Sequence, residues 1–151
     1  MARLVSEILI DKPAPEVFAF LGAAENHARF IPGMREFTKT CSGPLDQVGA
    51  TARGLRSDLG WKSEVLYEIS AVEPGRRLDM QGRLGPIRFR DGYILEPDSG
   101  RTRVTFWLEL TLDGLMNLAK PFIALIGRIH AGETLANLKK AVESDGHIHL
   151  K

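Results

Sequence analysis

The chain has 151 residues, of which 44% are hydrophobic and 26% charged, with 20 Lys and Arg against 19 Asp and Glu. That length predicts one domain over residues 1–151 with a sizeable core, and the composition excludes a disordered chain. The near-zero balance lacks the basic excess of a dedicated nucleic-acid binder, no apolar run approaches the ~18 residues of a membrane-spanning helix, and the single cysteine, Cys41, excludes an intrachain disulfide framework and any multi-cysteine metal site.

Arg3 to Asp11 alternates between apolar Leu4, Ile8, Ile10 and acidic Glu7, Asp11, the pattern of a strand with one buried face. No leader with a charged start, apolar middle and cleavage site is visible here, so a cytoplasmic location is expected. Pro13 and Pro15 suit the start of a helix, because the missing N–H would be unpaired there anyway. Glu16 suits the positive end of its dipole. Val17, Phe18, Phe20 and Leu21 supply its apolar face, and Gly22 is a plausible stop. Ala23 to Phe30 predicts a second short helix, closed by Ile31-Pro32-Gly33.

From Met34 the helical period disappears. Strands are predicted over Met34–Cys41, Gly49–Arg56, Trp61–Val72, Arg77–Leu84, Ile87–Leu95 and Arg103–Leu112, each separated by Gly, Pro or Asp turns. Such short connections favour antiparallel neighbours. Asp113 can cap Gly114–Ala119, Pro121 marks a kink or a fresh start, and a long helix is predicted from Phe122 to Ser144, ending before Asp145-Gly146.

Strand parity separates an apolar face from a charged one. The apolar parity holds Trp61, Val65, Tyr67 and Ile69, then Leu78, Met80, Gly82 and Leu84. It continues with Ile87, Phe89, Asp91, Tyr93 and Leu95, then Val104, Phe106, Leu108, Leu110 and Leu112. The other parity carries Lys62, Glu64, Glu68, Asp79, Arg83, Arg88, Arg90, Arg101, Arg103 and Glu109, which predicts a solvated outer face. Two residues break the rule. Asp91 is either a polar group aimed into a ligand cavity or a carboxylate turned outward by a β-bulge at Asp91-Gly92. Trp107 falls on the outer parity, as an isolated exposed aromatic or part of a dimer surface.

At ~100° per residue, Phe122, Leu125, Ile126, Ile129 and Ala136 cluster on one side of the last helix, while Ala131, Leu135, Leu138 and Val142 cluster nearly opposite. The stripe therefore changes face near Gly127–Gly132. Either the helix bends there, or its first half serves a cavity mouth, a partner subunit or a membrane.

Five motifs in order carry a family resemblance: "SEILIDKPAPEVFAFL", "FIPGM", "QVGATARG", "GRTRVTFWLEL" and "LANLKKAVE". Together they resemble the polyketide cyclase/dehydrase-like members of the START-like (SRPBCC, or Bet v 1-like) superfamily. The resemblance covers nearly the whole chain. It implies an α+β helix-grip fold: a seven-stranded curved antiparallel sheet wrapped around a long C-terminal helix, with two short helices after the first strand. It also implies a deep apolar cavity. These motifs are structural and leave the ligand open.

Other chemistry is sparse in the sequence. Gly82-Arg83-Leu84-Gly85 has no nucleotide-binding spacing, so no cofactor is expected. His147 and His149 lie in a tail and supply too few ligands for a metal. His130 and Glu133 stand one helical turn apart, as an acid/base pair or a surface pair. Cys41 reads as a small buried hydrophobe. His27 is either a guard at a cavity mouth or a solvated loop histidine.

The leading expectation is a binder of a small hydrophobic molecule: a lipid, an isoprenoid or an aromatic polyketide. The expected walls are Trp61, Tyr67 and Met80; Phe89, Asp91 and Tyr93; Phe106 and Leu108; and Phe122 and Ile126 from the helix. Two alternatives stay open. One is a cyclase or dehydratase using Asp91, Tyr93 or His130 for proton transfer. The other is a quinone or lipid chaperone with peripheral membrane contact through Phe122–Ile129. A homodimer is also open.

Overall fold

A computed structural model describes residues 3–58, 61–112 and 114–149, with the side chains of 58, 61, 115, 116 and 145–149 left out. Strand β1 (Arg3–Ile10) is followed by helix α1 (Ala14–Gly22), a single 3-10 turn (Ala24–Asn26) and helix α2 (His27–Phe30). Strands β2 (Met34–Lys39), β3 (Thr51–Asp58), β4 (Trp61–Glu73), β5 (Arg77–Leu84), β6 (Ile87–Asp98) and β7 (Arg101–Leu112) follow. A 3-10 segment (Gly114–Ala119) then leads into α3 (Lys120–His149). Helix α3 thus runs past Asp145-Gly146, where the sequence predicts its end; one glycine is a modest cost to a helix already anchored by packing. The expected Asp113 cap falls outside the described residues.

Among the described residues the strands form one seven-stranded sheet in the order β1-β7-β6-β5-β4-β3-β2. Every neighbouring pair is antiparallel, as the short turns require. Extra residues between Met34 and Glu36 and between Ile69 and Ala71 interrupt the ladders, and such bulges bend and twist a strand. Together with α3 this is the α+β helix-grip architecture.

The two halves of α3 meet different surroundings. Ala131, Leu135, Leu138 and Val142 are buried against the core. Lys139 Nζ donates to the Leu9 carbonyl at 2.9 Å, Asn137 Nδ2 to the Phe30 carbonyl at 3.2 Å, and the Asp11 N–H to Glu143 at 2.9 Å. These bonds fasten the C-terminal half to β1 and α2. In the first half, Phe122, Leu125, Ile126 and Ile129 all face outward and are exposed. The change of stripe is real, and only the second stripe packs into the core.

Four sequence expectations are corrected. No bulge lies at Asp91-Gly92: the β5–β6 ladder runs unbroken from Arg77↔Ile94 to Leu84↔Ile87, with Asp79 opposite Gly92 and Met80 opposite Asp91. Trp107 is on the outer face but only 4% exposed. A Cβ on Gly92 would stand 2.7 Å from Trp107 Nε1 and 2.3 Å from Asp79 Oδ1, so the missing side chain lets both settle onto the sheet. The Arg3 guanidinium covers the indole at 4.4 Å. Asp79 is likewise buried rather than solvated, and Arg77 Nε donates to its Oδ2 at 2.8 Å. Elsewhere the outer charges pair as a solvated face should, for example Arg3 with Glu109 at 2.8 Å and Arg53 with Glu64 at 3.2 Å.

The fourth correction is His27, which is fully buried. Its Nε2 donates to the Leu21 carbonyl at 2.7 Å, its ring stacks on Phe37 at 4.5 Å, and Phe30 approaches at 5.1 Å. It is a core residue joining α2 to β2, and burial lowers its pKa from 6.5 to about 4. Cys41 is partly buried, as a small hydrophobe at the core margin; its Sγ accepts from the Thr51 N–H at 3.3 Å.

Candidate functional site

The inner faces of β4 to β7 and one side of α3 line a half-open cavity of about 180 Å³. Its walls follow from the register. Tyr67, Gly82, Phe89 and Leu110 form one row across four strands, and Asp91 and Leu108 lie in the next row. Val65, Leu84 and Ile87 extend the apolar lining, and Ile123, Gly127 and His130 come down from the helix at a spacing of four and three residues. Arg56 of β3 and Ile126 stand at the partly exposed rim.

Two glycines shape this space. Gly82 lies between Tyr67 and Phe89, and a Cβ there would sit 2.0 Å from the Leu66 carbonyl oxygen and 2.7 Å from Phe89 Cζ. With no side chain between them, the two rings meet edge to face at 5.4 Å and form one aromatic wall. Gly127 sits on α3 where a Cβ would be 2.6 Å from Leu4 Cδ1. The helix therefore approaches β1 and β7 closely and roofs the cavity.

Asp91 is the cavity's electrostatic anomaly. It is 9% exposed and its Oδ1 has no hydrogen-bond partner within the protein. Burial, and secondarily the negative charge of Asp79, raise its pKa from 3.8 to about 8. The carboxyl is therefore mainly protonated near neutral pH, an O–H donor within an apolar chamber. The Tyr67 and Tyr93 hydroxyls are also pushed well above their ordinary range, by burial first and by Asp91 second, and stay neutral.

Of the expected wall residues, Tyr67, Phe89, Asp91, Leu108 and Ile126 come together around this cavity, as does His130. Met80, Tyr93 and Phe106 are instead fully buried in the core, with Tyr93 packed on Phe106 at 5.0 Å and on Phe30 at 6.3 Å. Phe122 turns away from the cavity into solvent, and the Trp61 side chain lies outside the described residues. Glu133 is exposed and is not part of the cavity wall, so the His130–Glu133 pair does not act in it together. Arg56 is not among the wall residues expected from the sequence. The run Ala52, Gly54, Arg56 was the available signal: two small inward residues, then a long cation.

A wider depression of about 860 Å³ opens on the other side of the sheet, between side chains such as Leu66, Glu68, Gln81, Arg83 and Arg90. Among the described residues no second layer covers that charged face, so the smaller roofed cavity is the better site. Among the described residues, no group of three or more His, Cys, Asp or Glu side chains could hold a metal ion. No helix there is long and apolar enough to cross a membrane.

A curved antiparallel sheet gripping one long helix, with an apolar chamber between them, is the architecture of the START-like (Bet v 1-like) superfamily. Solved structures agree at the level of fold. The protein TTHA0849 from Thermus thermophilus superposes with a TM-score of 0.80 at 16% identity, covering 95% of this chain and 99% of that one. The Zhui aromatase/cyclase from a Streptomyces species, strain R1128, gives 0.80 at 11% identity over 94% and 93% of the two chains. Ara h 8.0201 gives 0.72 at 15% identity over 95% and 98%. No curated protein matches the sequence. The profile of the family described as polyketide cyclase / dehydrase and lipid transport matches residues 1–143. The chain belongs to that family.

Proposed function

We propose that residues 1–151 act as one ligand-binding domain that carries or senses a small hydrophobic molecule bearing a hydrogen-bond acceptor, such as a carbonyl oxygen, at one end. The observation that carries this reading is the roofed apolar cavity with a buried carboxyl whose Oδ1 lacks a partner. A ligand oxygen accepting from the protonated Asp91 would supply the missing hydrogen bond, while Tyr67, Phe89, Leu108 and Leu110 would take its apolar body. The volume of about 180 Å³ is below the ~300–1,000 Å³ of drug-sized pockets. That favours a ring system or a short isoprenoid over a long acyl chain.

Native mass spectrometry of freshly purified protein names the ligand class. Displacement of an anilinonaphthalene sulfonate dye then measures the site. Asp91→Leu, which removes the donor at similar size, should weaken a carbonyl ligand more than a hydrocarbon of the same shape. Equal losses for both would remove Asp91 from recognition, and a protein with no displaceable dye would sink the reading.

A second reading, a cyclase- or dehydratase-type enzyme, is favoured by one observation. A carboxyl with a pKa of about 8 holds a proton it can transfer near working pH, and His130 shares its cavity. If Asp91→Asn abolished turnover of a polyketide-like substrate while affinity survived, the pure carrier would give way to the enzyme.

A further inference from the structure

The outward face of the first half of α3 is apolar where a solvated helix is normally polar. Leu118, Phe122, Leu125, Ile126 and Ile129 are between 50% and 83% exposed. The four on the helix fall within an arc of roughly 100°, a continuous stripe rather than scattered side chains. They are not spare core residues: Ile123, Gly127 and His130 on the other side of the same turns already face the cavity.

The charge along the stripe is mainly positive. From Gly114 to Gly132 the sequence contains no Asp or Glu, while Lys120 and Arg128 fall within the stripe's span and are exposed; the first acid, the exposed Glu133, comes one turn beyond Ile129. An apolar helical face flanked by cations complements an anionic lipid surface, where the side chains enter the acyl boundary and the cations meet the headgroups. The stripe also adjoins the site, since Ile126 belongs both to it and to the cavity rim.

We propose that this stripe docks the protein on an anionic lipid bilayer, laying the first half of α3 in the interface with the cavity mouth against the lipid. A second copy of the chain is the poorer occupant. Five side chains fall short of the ~20–30 residues a side of a stable protein interface. A two-fold pairing would also set Lys120 and Arg128 of one copy against the like-charged stripe of the other. Docking does not depend on the ligand reading of the cavity; that reading only gives docking a purpose, exchange of an apolar molecule with the membrane.

Co-sedimentation of the full chain with vesicles tests the proposal without any ligand. The protein should pellet with mixed phosphatidylcholine–phosphatidylglycerol vesicles and much less with phosphatidylcholine alone. The Leu125→Ser/Ile129→Ser double variant alters neither cavity nor core, so it should keep its melting temperature and pellet roughly ten-fold less. Lys120→Glu/Arg128→Glu should bind several-fold less, and added salt should weaken the wild type. Wild-type protein left in the supernatant, or equal pelleting by the serine variant or with phosphatidylcholine alone, would overturn it. So would a dimer in analytical ultracentrifugation that the serine variant dissociates, since the stripe would then belong to a second copy. Dye displacement without vesicles stays a separate measurement, so failure of docking leaves the ligand reading standing.

Discussion

Asp91 and His27 are buried ionisable groups with opposite pH signatures. Asp91 has a folded pKa of about 8 against an ordinary 3.8, so the folded protein keeps a proton that the unfolded chain releases. Its effect is to make stability fall as pH rises from about 4 to about 8. His27 has a folded pKa of about 4 against 6.5, so stability also falls as pH drops from 6.5 to about 4. The two slopes oppose each other below pH 6.5, and above it only that of Asp91 remains. The urea midpoint of the wild type should therefore fall between pH 6.5 and 8, and Asp91→Asn should flatten that limb. A wild-type midpoint constant across this window would mean that the carboxyl is already ionised in the fold. Asp91 was visible in the sequence as a break in alternation, but its direction was not. Both a bulge and an inward carboxylate satisfy the same local pattern, and only the unbroken β5–β6 ladder separates them.

Helix α3 and strand β5 show how elements divide their work. The buried second half of α3 carries the packing energy, and the first half carries a surface. Leu135→Ala should cost about 2–5 kcal/mol, whereas Leu125→Ala should stay within about 0.5 kcal/mol, by chemical denaturation. Equal losses would mean that both stripes are packed. In β5 the essential residue is the one without a side chain. Gly82→Ala should cost about 1–3 kcal/mol, because the methyl meets the rigid Leu66 carbonyl as well as Phe89, and near-ultraviolet dichroism should report the disturbed Tyr67–Phe89 pair. An unchanged midpoint would show that the strand yields more than its register suggests. The stripe change was readable from the helical period, because that period is local. Trp107 was not, because its burial depends on Gly92 of the neighbouring strand and on Arg3 at the other end of the chain.

The cavity belongs to the assembled fold, since five strands and a helix contribute to it and no one element contains it. Filling it should therefore separate binding from stability. Leu110→Phe adds bulk to the wall without introducing a polar group. Dye affinity should drop at least about ten-fold while the melting temperature holds or rises, because a filled void gains contacts. Unchanged affinity would place the bound dye elsewhere, for instance in the open depression across the sheet.

The order of elements, the antiparallel meander, the inward parity of β4 to β7 and the family resemblance were all legible in the chain, because alternation, turn residues and helical period are short-range signals. Those signals also put Tyr67, Phe89 and Leu108 on the inner face of the sheet, while the direction of Asp91 and the surroundings of Ile126 stayed open. The tertiary structure decided which inward residues reach the cavity and which are consumed by the core. Parity gives a side chain's face but not its depth, so Tyr93 and Phe106 were indistinguishable from Phe89 until the aromatic packing around Phe30 was in place. The same holds for His27, which local context left in a loop and which long-range packing against Phe37 buried completely.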